Sequence, residues 1–388
     1  MEKRKLGIAV IGIGGAVGTT MVAGVELLRR GLTDTTGLPL AGEPALIPYE
    51  EIQIFGWDVV ANNLAEAAAL HKVLSRAHFS AVAEHLRQIT PWPAVGNLRF
   101  VEAIDGKNKI AAESLRAIIE RLRSDIRQLG KQCESVVVIN LASTEKLIEP
   151  IPEIHNSLSA FELALDAGAP EISPAMLYAY AAISEGIPYG NFTPSLAADV
   201  PAIVELAEKC AVPIAGKDGK TGQTFLKTVL APAFKDRALK VAGWYSTNLL
   251  GNRDGQALAN EGSLASKVRT KTSVLDQILG YDVEDHIVDI RYYRPRGDDK
   301  EAWDSIDIDG FLGGRMQVKI NFLCKDSILA APLAIEIARC LEYAKRRGEY
   351  GIQEQLSAFF KLPMAKSGSP VHAFHKQMQM LTDWLREN

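Results

Sequence analysis

The chain has 388 residues and a net charge of −4, with 47% apolar and 23% charged residues. That length suits roughly two or three domains, and the composition is that of a globular protein with a large core. The slight negative charge excludes a general binder of nucleic acid or of membrane surfaces. Four widely spaced cysteines, Cys133, Cys210, Cys324 and Cys340, form no CxxC pair. They read as small apolar side chains in a reducing compartment rather than as a disulfide frame or a zinc site. No stretch offers about 18 uninterrupted apolar residues, so no membrane span is expected. The charged start runs into glycines and a helix without a cleavage signal, which makes a cytoplasmic location the expectation.

In chain order, LGIAVIGIGGAVGTTMVAGVELLRRG reads as a buried strand, a glycine turn and a helix that stops at Gly31. A loop rich in Gly, Pro and Thr leads to the strand EIQIFGWDV, and an Ala-rich helical region begins at Ala61. CESVVVINLAST is a continuous apolar run, the pattern of a parallel strand covered on both faces. ALDAGAPEISPAMLYAYAAISEG and SLAADVPAIVELAEKCAVPIAG continue the alternation of helix with short strand, which predicts an open, doubly wound parallel α/β sheet. Near Val241 the character changes. KVAGWYSTNLLGN, HIVDIRYYRPRG, SIDIDGFLGG and RMQVKINFLC are strand-like, interrupted by the helical SLASKVRTKTSVLDQILGY. A mostly antiparallel sheet with one helix is expected, and self-association is the simplest cover for its open face. From Asp326 a long amphipathic helix, and near Leu381 a shorter one, are expected to return to the first domain. The expected divisions are therefore 1–240, 241–325 and 326–388.

Gly12-Ile13-Gly14-Gly15-Ala16-Val17-Gly18 follows the first strand and opens the first helix. There the glycines allow a tight turn, close approach of a pyrophosphate and close helix–strand packing, and the helix N-terminus supplies N–H groups for the anion. Asp58, at the end of the next strand, is the candidate partner of the ribose hydroxyls, and an acid there favours NAD over NADP. Asn140-Leu141-Ala142-Ser143-Thr144-Glu145 follows the VVVI strand. It either faces the ligand crevice or merely caps a short helix through Ser143 or Thr144.

GKDGKTGQT, residues 216–224, looks at first like a nucleotide-phosphate loop. Counting back five positions from Gly219-Lys220 gives Ile214 where a P-loop needs glycine, so ATP is a poor fit. What remains is a strand–loop–helix junction whose N–H groups and lysines could hold an anion. Lys267 and Lys271 are four apart and share a helix face. They are either a solvated face or, in a cleft, amines tuned by desolvation and mutual repulsion. Lys300 and Lys376 are further candidates. Histidines are sparse, and neither GxSxG nor HExxH occurs, so acid–base work falls to lysines.

GIGGAVG, the GWD at 56–58, NLASTE, GKDGKTGQT, STNLLGNRDG (246–255), SKVRTKTSVLDQI, RPRGDDK and CKDSILAAPL occur in fixed order. With these landmarks the chain resembles the myo-inositol-1-phosphate synthase family along almost its whole length, in its compact prokaryotic form. The resemblance implies a Rossmann-type sheet interrupted by an α+β catalytic and tetramerisation domain, and a homotetramer that binds neither nucleic acid nor membrane. It implies NAD-dependent conversion of D-glucose 6-phosphate to 1L-myo-inositol 1-phosphate, by C5 oxidation, enolisation, intramolecular aldol closure and re-reduction, in inositol and phospholipid biosynthesis. By the same match Lys267, Lys271, Lys300 and Lys376 surround the sugar, with Lys376 near the C5 oxygen and Lys267 or Lys300 near the C1 oxygen. Thr221, Gly222, Gln223 and Thr224 grip the phosphate, while Leu250 and Asn252 line the pocket. Gly12 to Val17, Asp58, Ala142, Ser143, Thr144, Asp218, Asp326 and Ser327 serve the cofactor, with Asp218 and Asp326 also orienting a lysine and the nicotinamide. Some relatives need a cation, so a divalent or monovalent ion stands beside NAD, with no ligands assignable. Arg253, in Asn252-Arg253-Asp254-Gly255, and IPYGNFTPS (187–195) depart from the family pattern. The competing readings are an ordinary NAD-dependent sugar- or inositol-phosphate dehydrogenase that releases NADH, and an NAD-binding protein without turnover.

Overall fold

The computed structural model describes residues 4–96, 99–101, 106–146, 148–251 and 274–387. Apolar runs become the strands β1 Leu6–Ile11, β2 Ile52–Asp58, β3 Trp92–Pro93, β4 Ser135–Asn140, β5 Tyr189–Asn191 and β6 Pro213–Gly216. Together with a late strand, β11 Gly351–Ile352, they form a parallel sheet in the order β11-β6-β5-β4-β1-β2-β3. The order reverses beside β1, which gives the doubly wound, Rossmann-type topology with its ligand crevice at the strands' carboxyl ends.

Alternation along β1 shows why both faces are covered. Leu6, Ile8 and Val10 enter one core and Ala9 and Ile11 the other. Among the helices, α1 Ala16–Arg29 lies on the first face with α2 Leu64–His71 and α3 Arg76–Arg87 beside it. The second face is covered by α4 Leu115–Gly130, α6 Leu158–Asp166, α7 Pro174–Ser184 and α8 Pro201–Lys209, with the short α5 Pro152–His155 next to α6. Caps fix where several of these begin. The hydroxyls of Ser114, Ser157 and Ser173 accept N–H bonds at the starts of α4, α6 and α7, and Asn63 with Glu66 closes a capping box on α2, each worth about 1 kcal/mol.

After α9 Gln223–Asp236 the chain builds a second sheet from β7 Lys240–Leu250, β8 Asp285–Tyr292, β9 Asp299–Asp309 and β10 Arg315–Lys325, ordered β10-β9-β7-β8. Two of its pairings are antiparallel, as expected, but β7 and β8 run parallel. A long connection from Leu250 to Asp285 makes that possible, since parallel neighbours need a crossover rather than a hairpin. Residues 274–279 of the expected SLASKVRTKTSVLDQILGY helix are helical and fall in that connection; its residues 263–273 lie outside the described residues. Trp244, Ile306 and Ile308 on one face pack on Ala231 of α9 and on Val274, Leu275 and Ile278. On the other face Tyr245, Ile287 and Leu323 remain well exposed.

The return is direct. The long helix α10 Asp326–Arg346 starts at the end of β10 and packs on β4, β5, β6 and α1 of the first sheet. A closing helix, α11 Phe374–Arg386, lies against α9. Buried Arg339 and Glu336 pair at 2.6 Å, and Tyr49 donates to Glu336 at 2.6 Å, which ties the loop before β2 to α10.

Candidate functional site

The carboxyl ends of β1, β2, β4 and the residues just after β5 and β6 open onto one cleft, whose far wall comes from β7, β8, β9 and the start of α10. The glycine turn forms its floor. Gly12 has φ +83°, and a Cβ there would stand 3.0 Å from the Ala142 backbone. A Cβ on Gly18 would stand 2.4 Å from the Ile13 carbonyl oxygen, so helix and strand touch as closely as the fingerprint requires. Gly12 donates to the Trp57 carbonyl at 2.8 Å, and Gly14 donates to Asp58 Oδ2 at 3.0 Å. Unlike the capped helices, α1 begins at Gly15 with no side-chain cap and no acid in its first turn. Its orphan N–H groups and positive end therefore face the cleft. A glycine cradle under an uncapped helix fits a dinucleotide pyrophosphate.

Asp58, Ala142, Ser143, Thr144, Asp218, Asp326 and Ser327 all line the cleft; Ile13 does not, being fully buried beneath the turn. Asp58 is a brace, its Oδ1 accepting from Val60 at 3.0 Å while Oδ2 holds Gly14. Residues 141–146 form no helix, so Ser143 and Thr144 are not helix caps. The side chain of Asn140 instead accepts from Ala142 at 3.1 Å and turns the chain along the cleft. Glu145, also at the cleft, accepts from the α7 backbone at Ala175, 2.9 Å away, and burial pushes its carboxyl up to about 7, against the lowering effect of its hydrogen bonds from Ser173 and Ala175.

Two lysine–carboxylate pairs mark the other end. Lys300, on β9, donates to Asp326 Oδ1 at 3.1 Å, and the Thr221 hydroxyl donates to the same oxygen at 2.9 Å. Lys361 donates to Asp218 Oδ1 at 2.6 Å, both side chains nearly buried. Lys361 was not foreseen; FFKLPM carries no motif, and only its arrival at the cleft singles it out. Lys376, expected at the sugar, is exposed on α11 and does not line the cleft. Its neighbour Gln377 points inward, where it accepts from Lys220, so Lys376 is turned to the solvent side.

Lys220 itself, the lysine of the Gly-Lys-Thr stretch, faces away from the cleft. It lies on Gln377 and 5.2 Å from the centre of the Phe374 ring, and burial pushes its ammonium down to about 7. Thr221 does line the cleft. Gly222, Gln223 and Thr224 form the start of α9 just behind it, the last two almost fully buried, and Gly222 opens the helix with no side-chain cap. Leu250 lines the cleft; Asn252, Arg253, Lys267 and Lys271 lie outside the described residues. Asn248, Lys109 and His71 also line it, His71 through Nε2 at 2.9 Å from the Gly14 carbonyl. Among the described residues there is no cluster of three or more metal-ligating acid, His or Cys side chains, and no helix long and apolar enough to cross a membrane.

A Rossmann-type sheet with a glycine-floored cleft, and lysine–carboxylate pairs at the cleft's far end, defines an NAD-binding enzyme class. The profile of the family described as myo-inositol-1-phosphate synthase matches residues 44–386, and the chain belongs to that family. It is 42% identical to inositol-3-phosphate synthase 1 of Bacteroides thetaiotaomicron, over 98% of this chain and 95% of that one. Identity to inositol-3-phosphate synthase 1 of Oryza sativa is 29%, covering 98% and 85%. Among solved structures, inositol-3-phosphate synthase of Caenorhabditis elegans superposes with a TM-score of 0.92 at 26% identity, covering 99% and 86%. A myo-inositol-1-phosphate synthase-related protein of Thermotoga maritima gives 0.82 at 25%, covering 98% of each.

Proposed function

We propose that the chain converts D-glucose 6-phosphate to 1L-myo-inositol 1-phosphate. The observation that carries the reading is the joining of a dinucleotide cradle to two lysine–carboxylate pairs in one cleft. Family membership and the names of the relatives support it. Bound NAD supplies a reversible two-electron oxidant at C5, so that the overall reaction has no net redox change.

The chain's own residues do the rest. Charge develops first on the C5 oxygen and then on the C1 oxygen as C6 attacks the aldehyde, and fixed cations in a water-poor cleft are the means of holding it. Lys300 and Lys361 take these roles in our reading, Lys361 in the place expected of Lys376, with Lys267 and Lys271 as further members of the set. Asp326 and Asp218 hold the two ammonium groups in position. Thr221 and the N–H groups of the uncapped first turn of α9, Gly222 to Thr224, hold the phosphate, with Leu250 and Asn252 beside the sugar. The protein acts in the cytoplasm as a homotetramer, associating through the open face of the second sheet. Exposed Tyr245, Ile287 and Leu323 on that face support the association.

The test is incubation with NAD and glucose 6-phosphate, with NMR of the product and absorbance at the NADH band, with and without a divalent or monovalent cation. Inositol phosphate without accumulating NADH is expected. Stoichiometric NADH with an oxidised sugar phosphate would replace the reading by that of a simple dehydrogenase.

A further inference from the structure

A line of polar side chains runs from the core of the second sheet to the cleft: Trp244, Asp304, Gln223 and Asn248, none more than 2% exposed. Trp244 Nε1 donates to Asp304 Oδ1 at 2.8 Å, and the Ser246 hydroxyl donates to the same oxygen at 2.6 Å. Gln223 Nε2 donates to it as well, at 3.1 Å. Gln223 Oε1 then accepts from Asn248 Nδ2 at 2.6 Å. Asn248 lines the cleft, and its Oδ1 has no hydrogen-bond partner among the described residues.

The direction of this line is set at its buried end. An indole N–H can only donate, so Asp304 Oδ1 is an acceptor whatever the charge on the carboxyl. Gln223 must therefore turn its NH₂ end to Asp304 and its carbonyl to Asn248. Asn248 must answer with its own NH₂, which leaves its oxygen for the cleft. Reversing either amide would set oxygen against oxygen in a buried site, where an unmade hydrogen bond is expensive. Nearby Lys227, fully buried and 2.6 Å from His286 Nε2, places a cation in the field of Asp304, so the carboxylate is compensated.

We propose that Asp304 is a positioning residue which, through Gln223, makes Asn248 an obligate hydrogen-bond acceptor and so selects a donor hydroxyl of the substrate at that point of the cleft. A phosphate or carbonyl oxygen is disfavoured there. The Gln223 side chain serves this relay, and its contribution to phosphate binding comes from the backbone. The inference rests on the reading of the cleft as a sugar-phosphate site.

The experiment compares Asp304→Leu, Asp304→Asn and Gln223→Met with the wild type, in full-length protein saturated with NAD. KM and kcat for glucose 6-phosphate, calorimetric binding of glucose 6-phosphate and the Kd for NAD are measured. Asp304→Leu is expected to raise the glucose 6-phosphate KM about tenfold or more, on the order of one lost hydrogen bond, with NAD affinity unchanged. Asp304→Asn keeps a carbonyl oxygen for the same three donors and is expected to restore KM to within about threefold of wild type. Should Asp304→Leu not fold, Gln223→Met decides. It keeps a similar volume and leaves Asn248 without its acceptor, so KM should rise about tenfold while the backbone contacts to the phosphate and the NAD affinity stay as they are.

A folded Asp304→Leu with unchanged KM, an Asp304→Asn as impaired as the leucine variant, or a Gln223→Met with wild-type KM would each overturn the relay. A wild type that binds glucose 6-phosphate without turnover sinks the proposed reaction alone, and the same variants then read the relay by calorimetry. A wild type that does not bind it overturns both.

Discussion

Replacing Lys361 by Met removes the ammonium 2.6 Å from Asp218 while keeping most of the side chain's volume. Both groups are nearly buried, at 8% and 4% side-chain exposure, so Asp218 loses that ammonium where water screens poorly. Breaking one side of such a pair costs about 3–5 kcal/mol, and its position at the cleft edge argues for the lower figure. The denaturant midpoint should fall accordingly. Turnover should fall separately, by about 10²–10³, the effect of deleting one preorganised charge-stabilising group. The double variant Asp218→Asn, Lys361→Met separates the two losses. Removing the stranded charge should recover most of the stability and none of the activity. Exposed Lys376→Ala is the control, with stability within about 0.5 kcal/mol of wild type and unchanged turnover. The assignment of Lys361 is refuted if Lys361→Met turns over glucose 6-phosphate normally, or if Lys376→Ala alone abolishes turnover.

Gly12→Ala imposes a side chain at φ +83°, 3.0 Å from the Ala142 backbone; the strain is about 1–3 kcal/mol, and NAD affinity by fluorescence titration should weaken roughly ten- to a hundredfold. Glu145 has its folded pKa raised to about 7 by burial against an unfolded value of about 4.3. Its contribution to stability is therefore complete below about pH 4 and is lost as pH rises through 7, a slope worth about 4 kcal/mol. Glu145→Gln keeps an acceptor for Ala175, so melts from pH 4 to 8 should lose that slope, and the variant should exceed wild type above pH 7. Leu323→Glu, at 59% exposure on the open face of the second sheet, should shift the protein to smaller assemblies in light scattering, with little change in the melting of the protomer.

The features legible in the sequence are those with a local physical cause. β1, β4 and β6 announce themselves as apolar runs because a strand covered on both faces has no polar side, and the glycine turn is visible because only glycine meets its steric demands. The direction of β8 was not legible, since alternation shows that a strand has two faces and says nothing of its neighbour's polarity. Lys376 shows the same limit at the site. On a helix, neighbouring positions are about 100° apart, so a single residue separates the inward Gln377 from the solvent-facing Lys376. Composition cannot resolve that step without knowing which face of α11 meets α9. Lys361 and Asn248 were invisible for another reason. One comes from a segment that follows β11 and the other from β7, and they belong to the site only because the fold folds back on itself. Lys220 looked like part of a phosphate loop and is instead buried under α11, a contact made with a residue far along the chain.

The path of α10 bears on how the protein is made. This helix covers β1, β4, β5 and β6 on one face and belongs to the last part of the chain. During synthesis from the N-terminus, α1 to α3 can cover their part of that face, but the part over β4, β5 and β6 waits for α10 while all of the second sheet is being translated. Chains of this kind, with late non-local closure, fold slowly and expose sticky surface meanwhile. The core of the first sheet is thus completed by the last part of the chain. Nascent chains halted after β10 should be captured by chaperones, and the cleft, whose lining includes Asp326 and Lys361, is complete only once α10 and the segment after β11 have been made.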